Sequence, residues 1–250
     1  MKILAVMGSL RKYGGNYKIV KQIEQKMKRL GKVDFEYLFL ADASLELCKG
    51  CTNCRHLDNE RCKFNDDAGS IKQKMLDADG IILSSPVYAG NMSWLMKNFV
   101  DRFSFVQRQP LFFDKYALLV CNSGGAADMD TPLRSLEQAA ALLELHIVGR
   151  ITIKNRNIRK STARFETAAE NFYRVLSSGK APAPDITKLL VFKLKQHAFS
   201  ANSPEAAPEY KFWKERGWFE KGRHYYSGAK LTLFKRILAW LAGKVLAKFA

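Results

Sequence analysis

Four cysteines lie within fifteen residues of this chain and form its densest group of reactive side chains. Cys48, Cys51, Cys54 and Cys62 follow the spacing C-x2-C-x2-C-x7-C. Three thiolates at steps of three residues can take three corners of a compact inorganic cluster, and a fourth can come from a short loop. The spacing therefore favours an iron–sulfur site. The alternatives are a metal-free segment of packed cysteines and a zinc site, whose C-x2-C pairs usually stand farther apart.

A polar, glycine-containing loop follows the first apolar run and is the second candidate. Residues 8–17 read GSLRKYGGNY, and a helical pattern with apolar Ile19, Val20, Ile23 and Met27 comes after them. Such a loop between a strand and a helix directs backbone N–H groups and the positive helix end to one point, which suits an anion. It has neither the Gly-Lys-Ser/Thr of a P-loop nor the dinucleotide pattern G-x-G-x-x-G. An ordinary strand-to-helix connection is the alternative.

The third candidate is the stretch from Ser84 to Phe103, SSPVYAGNMSWLMKNFVDRF, which leaves a short apolar strand. Pro86 restrains the loop, Tyr88 offers a flat ring with a polar tip, and Gly90 lets the backbone approach a ligand. In an open α/β sheet, a loop at the carboxyl end of a strand is where a planar cofactor usually binds. From Trp94 onwards the apolar residues fall at helical spacing, which predicts core or subunit contacts.

Short apolar runs alternate with helical patterns and must position these candidates. Strands are predicted at residues 2–7, 33–40, 80–84, 115–121 and 146–153, and later helices at 70–78, 131–145 and 161–177, the last with Ser161 as N-cap. This order predicts an α/β fold with a doubly wound, five-stranded parallel sheet covered on both faces. We expect the first loop, the Ser84 stretch and the turn after the fourth strand to meet at one crevice, with the cysteines beside it.

The sequence pattern changes after Gly179, where the alternation of strands and helices ends. We predict a domain of residues 1–179 and a mainly helical C-terminal extension of residues 180–250, joined by the linker Ala181-Pro182-Ala183-Pro184. The extension carries 14 Lys and Arg against 5 Asp and Glu, about half of the net charge of +17. Its helices are predicted at residues 186–199, 205–218 and 229–249. A packed, folded appendage is predicted by the aromatic residues Tyr210, Phe212, Trp213, Trp218, Phe219, Tyr225 and Tyr226.

The last predicted helix has one apolar stripe with basic residues beside it. The stripe consists of Leu231, Phe234, Leu238, Leu241, Val245 and Phe249. Such a helix can lie on an anionic membrane surface. Because an apolar stripe more often packs against its own domain or a partner subunit, we favour packing over peripheral membrane contact.

Composition narrows the class of protein. A hydrophobic content of 47% in 250 residues is enough for one well-cored domain with an extension. The chain has no run of eighteen apolar residues and no signal-peptide cleavage pattern, and its cysteines are clustered, so we expect a cytoplasmic protein. The positive net charge suggests nucleic acid as a possible partner. Because no nucleic-acid-binding motif accompanies the charge, we expect no nucleic-acid partner.

Three pieces of the sequence together resemble the flavodoxin-like NAD(P)H-dependent FMN reductases, and especially the iron–sulfur flavoproteins among them. The pieces are Gly8-Ser9-Leu10-Arg11 with Gly15-Asn16, the four-cysteine loop leading to Asp66-Asp67, and Ser85-Pro86-Val87-Tyr88 with Lys97 and Asp101-Arg102. The resemblance covers about residues 1–178. It implies a flavodoxin-like sheet that binds FMN at its edge and takes electrons from NAD(P)H.

The resemblance also implies roles for individual residues. The phosphate would be held by Ser9, Arg11 and Asn16, with backbone access at Gly15 and with Tyr17 where the family usually has Thr or Ser. The flavin ring would be bordered by Pro86, Val87, Tyr88, Gly90 and Asn91, and closed on the far side by Ser123, Gly124 and Gly125. A [4Fe–4S] cluster, if present, would be bound by Cys48, Cys51, Cys54 and Cys62.

We therefore expect an FMN-dependent NAD(P)H oxidoreductase that passes electrons to a quinone, a flavin or a protein acceptor. It needs no catalytic acid–base pair, because the flavin carries the chemistry. An electron carrier with a [4Fe–4S] cluster on the cysteine loop is the second hypothesis. A flavin-free binding module that keeps the fold is the third, since Tyr17 departs from the family pattern. A homodimer is the expected assembly.

Overall fold

The computed structural model describes residues 1–56, 62–125, 128–180, 182–202, 207–227 and 231–246. Its parallel strands are β1 (Lys2–Met7), β2 (Asp34–Phe39), β3 (Gly80–Tyr88), β5 (Tyr116–Ser123) and β6 (His146–Lys154), and β4 (Asn91–Met92) pairs antiparallel with the end of β3. The strand order is β2-β1-β3-β5-β6. This is the doubly wound order of flavodoxin-like proteins, and the predicted fold class is confirmed.

Helices cover both faces of this sheet. They are α1 (Gly15–Leu30), α2 (Asn53–His56), α3 (Ala68–Asp77), α4 (Trp94–Arg102), α5 (Asp130–Leu142) and α6 (Thr162–Ser177), with 3-10 turns at Ser104–Gln107 and Asn155–Ser161. Ser161 stands at the predicted N-cap position of α6, but its side chain makes no hydrogen bond to the first turn. Ser161 ends the preceding 3-10 turn and lacks the extended backbone that a capping side chain needs.

Successive residues of the central strands face opposite sides of the sheet and build two cores. Leu4 and Val6 of β1 pack on one side with residues of α3, α4 and α5. Ile3 and Ala5 pack on the other side with residues of α1 and α6. Because β1 lies between β2 and β3 and is covered on both faces, its sequence is an unbroken apolar run without alternation.

Strand β3 extends beyond its predicted end at Ser84 and reaches Tyr88. The chain then turns at Ala89 and Gly90, whose φ angles of 47° and 74° are those of a tight two-residue hairpin, and returns as β4. Glycine tolerates this left-handed backbone at Gly90 without strain. The loop predicted to border a planar ligand is therefore a short, hydrogen-bonded hairpin at the end of the central strand.

The C-terminal extension forms a third core beside the sheet. Its helices are α7 (Ile186–Asn202), α8 (Pro208–Glu215) and α9 (Leu233–Leu246). Trp213 and Trp218 are buried, and their indole N–H groups donate to Arg108 O at 2.8 Å and Tyr226 O at 3.2 Å. The buried Phe192, Tyr225 and Tyr226 belong to the same core. Ala181 lies outside the described residues, and the neighbouring Pro182 is buried.

Polar contacts join this extension to the strand β6 and the turn before it. Glu144, which is buried and has a φ of 62°, pairs with Lys195 of α7 and accepts a hydrogen bond from Tyr226 Oη. Tyr225 Oη lies 3.2 Å from Nε2 of His146, the first residue of β6. Since these groups are buried together, the extension contributes to the stability of the sheet edge.

The apolar stripe predicted for the last helix is divided between the inside and the outside of the extension. Leu231 packs against the aromatic core, and Leu238 is half-buried. Phe234 and Leu241 are 65% and 46% exposed. Phe249 lies outside the described residues. In the part of the chain that the structure describes, no helix has the length and apolar character to cross a bilayer.

We predict that protonation of His146 destabilises the protein. Burial, and secondarily the charge of Lys188, lowers the pKa of His146 from 6.5 to about 3. Between these values the unfolded chain binds a proton that the folded chain does not, so the free energy of unfolding falls as the pH is lowered from 6.5. The fall attributable to this one group should approach about 1.4 kcal/mol per pH unit.

Urea denaturation at a series of pH values between 7 and 4 measures this slope. The His146→Gln variant has no proton to gain at this position and should show a shallower decline. Equal slopes in the two proteins would contradict the assignment.

Candidate functional site

A cleft of about 330 Å³ opens at the carboxyl ends of β1, β3 and β5. The first loop, the β3 end and the turn after β5 all contribute to it, as the topology of the sheet predicts. Its lining consists of Ser9, Arg11, Gly14, Gly15, Asn16, Pro86, Val87, Tyr88, Asn122, Ser123, Gly124, Gly125 and Asn155. Ten of the thirteen residues predicted to hold a cofactor are therefore brought together here.

The amino end of α1 lies at one end of this cleft. Gly14 is its N-cap residue and offers no side chain to the first-turn amides, and that turn contains no acidic residue. The amides at the start of a helix have no partner within the helix, and they carry part of its positive dipole. Ser9 Oγ accepts a hydrogen bond from the backbone N–H of Arg11 at 3.1 Å, which bends the loop, and the Arg11 side chain is exposed. This end of the cleft suits an anion.

A chain of amide side chains forms the floor of the cleft. Asn16 Nδ2 donates to Ser84 Oγ at 2.9 Å, and Asn122 Nδ2 donates to Asn16 Oδ1 at 3.4 Å and to Asn155 Oδ1 at 2.8 Å. These contacts tie α1, β3, β5 and the segment after β6 to one another. The buried Oδ1 of Asn122 has no hydrogen-bond partner among the described residues. A buried acceptor without a partner is costly, and here it borders a cleft that a ligand could fill.

The amide side chains at the floor of the cleft leave room only for glycine at position 15. A Cβ atom at position 15 would overlap Asn155 Oδ1 and Asn122 Nδ2. The close approach of α1 to the two asparagines is therefore possible only without a side chain at this position.

Three residues predicted to contact the cofactor lie outside the lining of the cleft. Tyr17 packs in an aromatic group, with ring centroids 5.1 Å from Tyr13 and 5.4 Å from Tyr37. Gly90 is at the tip of the β3–β4 hairpin, and Asn91 Oδ1 accepts from the N–H of its neighbour Met92. Tyr17 points away because β2 carries a run of aromatic residues that provides it with a packing surface.

Sequence reasoning missed three residues of the lining: Gly14, Asn122 and Asn155. Asn122 lies near the end of β5, and Asn155 follows β6 directly. Polar residues at the carboxyl ends of parallel strands face the ligand edge of such a sheet. That position is the signal that identifies both asparagines.

The four cysteines line a second pocket, of about 320 Å³, together with Arg102 of α4. Cys48 and Cys51 are exposed, and Cys54 and Cys62 are half-buried. Burial raises the pKa of Cys54, and the neighbouring thiols Cys62, Cys48 and Cys51 add to the effect. Within the described ranges, no three or more His, Cys, Asp or Glu side chains have an arrangement that could hold a metal ion. The four thiols that the sequence singles out thus lie at one pocket.

Helix α4 holds the cysteine segment through two polar residues one turn apart. Asn98 accepts from the N–H of Cys48 at 2.9 Å and donates to the carbonyl of Glu46 at 3.2 Å. Arg102 Nη1 donates to the same carbonyl at 2.8 Å, and its Nη2 lies 3.5 Å from Cys62 Sγ. The backbone before the first cysteine and the side chain of the last are thereby fixed to one helix.

Arg102 is itself paired with Asp66, and both side chains are 2% exposed. Two hydrogen bonds, of 2.5 and 3.0 Å, join the guanidinium to the carboxylate. Burial by itself would raise the pKa of Asp66, but the Arg102 bonds and the N–H groups of Ala68 and Glu46 bring it below its usual value. This is a buried, bidentate pair, in which removing either partner is expected to be costly.

We predict that the Asp66→Asn variant loses about 3 kcal/mol in free energy of unfolding, because Arg102 then stays buried without its counter-ion. Since the folded pKa of Asp66 is lowered, its contribution is complete above pH 3.8 and is lost as the pH falls through the folded value. Urea denaturation at neutral pH measures the loss. The matched control is Asp101→Asn, which breaks an exposed pair with Lys97 and should cost under about 1 kcal/mol. Equal losses in the two variants would contradict the special role of Asp66.

The chain is similar in sequence and in fold to known proteins. An iron-sulfur flavoprotein of Methanocaldococcus jannaschii is 37% identical to the chain over 102 residues, which are 41% of this chain and 51% of that protein. An iron-sulfur flavoprotein of Archaeoglobus fulgidus is 24% identical over 229 residues, 87% of this chain and 100% of that protein. A flavone reductase of solved structure has the same fold, with a TM-score of 0.58 and 20% identity over 74% of this chain and 66% of its own.

The chain spans about half the length of the first relative and the whole of the second. The family model described as NADPH-dependent FMN reductase matches residues 1–157. That match includes the first loop, the cysteine segment, the β3–β4 hairpin and both cleft asparagines. The chain therefore belongs to the NADPH-dependent FMN reductase family.

Proposed function

We propose that the protein is an FMN-dependent NAD(P)H oxidoreductase that passes electrons to a quinone, a flavin or a protein acceptor. The observation that supports this most directly is the buried Oδ1 of Asn122, which has no hydrogen-bond partner among the described residues and borders the cleft. The uncapped start of α1 lies at the same cleft. A ligand with an anionic group and hydrogen-bond donors would satisfy both features.

The phosphate of FMN would lie at the start of α1. Gly14 and Gly15 leave the first-turn amides accessible, and Arg11 can place a positive charge over the same point. The side chain of Asn16 is committed to Ser84 and Asn122, so it would shape this site and would not donate to phosphate. This role differs from the phosphate contact that the family resemblance implies for Asn16.

The flat ring of FMN would lie between the two other walls. Pro86, Val87 and Tyr88 form one wall, and the turn at Ser123 and Gly124 forms the other. When bound, FMN accepts a hydride from the nicotinamide and passes the electrons on. The protein's part is to orient the ring, and the cationic, amide-rich side of the cleft would favour added negative charge. Ser123 Oγ accepts from the N–H of Gly125 at 3.3 Å and so fixes the second wall.

We predict that the purified protein binds FMN in a one-to-one ratio and oxidises NADPH or NADH when a quinone is added. The Gly15→Ala variant should bind FMN at least about tenfold more weakly, because its Cβ displaces Asn122 and Asn155 from the floor of the cleft. Quenching of flavin fluorescence during titration measures the dissociation constant, and absorbance at the nicotinamide band measures turnover.

The control for this variant is Gly69→Ala in α3, where an added Cβ meets open space. It should bind FMN as the unmodified chain does. A protein that remains colourless after FMN is added would contradict the proposal and would favour a flavin-free binding module.

A second candidate function is electron transfer through a [4Fe–4S] cluster on the cysteine loop. The specific observation in its favour is that all four cysteines line one pocket. The relatives from M. jannaschii and A. fulgidus are both described as iron-sulfur flavoproteins. The donor set has the chemistry of an iron–sulfur site, and we derive no reaction step through a cluster.

Anaerobic purification followed by assays of iron and acid-labile sulfide tests this second candidate. The expected result is about four iron and four sulfide per chain for a [4Fe–4S] site. The Cys62→Ser variant should lose most of both while retaining FMN. Absence of iron and sulfide from the anaerobic protein would leave the simple reductase as the only candidate of the two.

A further inference from the structure

Two adjacent helices of the extension turn apolar stripes towards solvent. In the part of the chain that the structure describes, nine of the fifteen most exposed large apolar side chains belong to these helices, α7 and α9. They are Ile186, Leu190, Val191 and Leu194 on α7, and Leu233, Phe234, Ile237, Trp240 and Leu241 on α9. Exposures on α9 range from 46% to 71%. Apolar surface on this scale usually marks an interaction site.

The stripe on α9 has helical spacing. Leu233, Ile237 and Trp240 follow one another at steps of four and three residues, and Phe234 and Leu241 flank them. These positions therefore share one side of the helix. The inner side is attached to the rest of the extension, where Lys235 Nζ donates to Pro184 O at 2.7 Å and Leu238 is half-buried. The exposed stripe thus belongs to a helix that is docked by its opposite side.

The charge of these two helices has one sign. Neither α7 nor α9 contains an aspartate or a glutamate, and no acidic residue occurs after Glu220. Helix α9 contains Lys235, Arg236 and Lys244. On α7, Lys188 and Lys195 bind the turn at Glu144, and Lys193 donates to the carbonyl of Arg223. On α9, Lys235 is bonded to Pro184, so the further positive charge in the sequence of these helices is that of Arg236 and Lys244. The exposed apolar side chains thus belong to helices that contain basic residues and no acidic ones.

We propose that this surface binds the anionic face of a lipid bilayer. An amphipathic helix with a bulky apolar side and cationic neighbours lies in the membrane interface. Burial of its apolar side and attraction of its charges to anionic headgroups both strengthen the binding. Tryptophan and phenylalanine are favourable at that depth. Helix α9 has 14 residues, about 21 Å at 1.5 Å per residue, which fits a helix that lies along the surface.

The charge also decides against a second copy of the chain as the occupant. In a twofold interface the same patch meets itself, so two helices without acidic residues would face each other. Their like charges would oppose the contact unless each were neutralised. A homodimer remains a prediction from the sequence, but it would use another surface. The exposure of Phe234, Ile237 and Leu241 leaves this side of α9 uncovered within the chain, and for that reason we favour membrane contact here over the packing that the sequence favours.

Flotation of the full-length protein with lipid vesicles tests the proposal. Vesicles of phosphatidylcholine with phosphatidylglycerol are compared with vesicles of phosphatidylcholine alone, at low and high salt. We expect binding to the anionic vesicles, weaker binding at high salt, and at least tenfold weaker binding to the neutral vesicles.

The Phe234→Ser/Ile237→Ser variant should bind anionic vesicles at least about tenfold more weakly. These residues are 65% and 48% exposed, so the fold should be retained, and circular dichroism melting checks it. Leu233→Ser, at the most exposed position of the stripe, gives a second variant. The matched control is Leu30→Ser/Trp94→Ser, which removes apolar side chains that are 40% and 54% exposed on the sheet domain and should leave vesicle binding within about twofold.

Failure of the unmodified protein to bind anionic vesicles would overturn the proposal. Equal binding by the α9 variant and the control would do so as well. Light scattering provides a further check, because a change in subunit number caused by the α9 variant would identify a second copy as the occupant and would also overturn it. FMN binding is measured separately, so these outcomes are independent of the proposed function.

Discussion

Helix α4 makes hydrogen bonds at its two ends to the two candidate sites, and their relative position depends on it. At its start, Ser93 Oγ donates to the carbonyl of Gly8 at 2.5 Å, and Ser93 N–H donates to Ser85 Oγ at 2.9 Å. At its end, Arg102 holds Asp66 and the backbone before the first cysteine. Arg102 lies nine positions after Ser93, which is about 14 Å along a helix. One rigid element therefore sets the spacing of the cleft and the thiols.

The cleft itself depends on the satisfaction of buried polar groups. Asn16, Ser84, Asn122 and Asn155 come from four parts of the chain and complete one another's hydrogen bonds, except at the Oδ1 of Asn122. An amide network of this kind is stable only if the elements that carry it stay in place, which a sheet packed on both faces ensures. The remaining acceptor is buried and belongs to a residue that lines the cleft.

The extension adds a different kind of surface to this sheet. It is attached through buried polar contacts around Glu144 and His146, where α7 and the tyrosines meet the start of β6. Attachment by the inner sides of its helices leaves large apolar side chains exposed on helices that contain no acidic residue. The molecule thus combines a cleft suited to a redox cofactor with a surface suited to anionic lipid, and the contact at His146 holds the two parts together.

The sequence by itself determined the fold class, the order of the five parallel strands along the chain and the loops that carry the chemistry. Unbroken apolar runs such as residues 3–7 identify buried strands, and the first loop and the cysteine spacing are local patterns. Tertiary structure decided which residues meet. Asn155 contacts Asn122 only because β5 and β6 are adjacent strands. Tyr17 points away from the cleft because aromatic side chains of β2 pack against it. It also decided which side of α9 faces solvent. Periodicity shows that a helix has an apolar side, but only packing determines whether that side is covered.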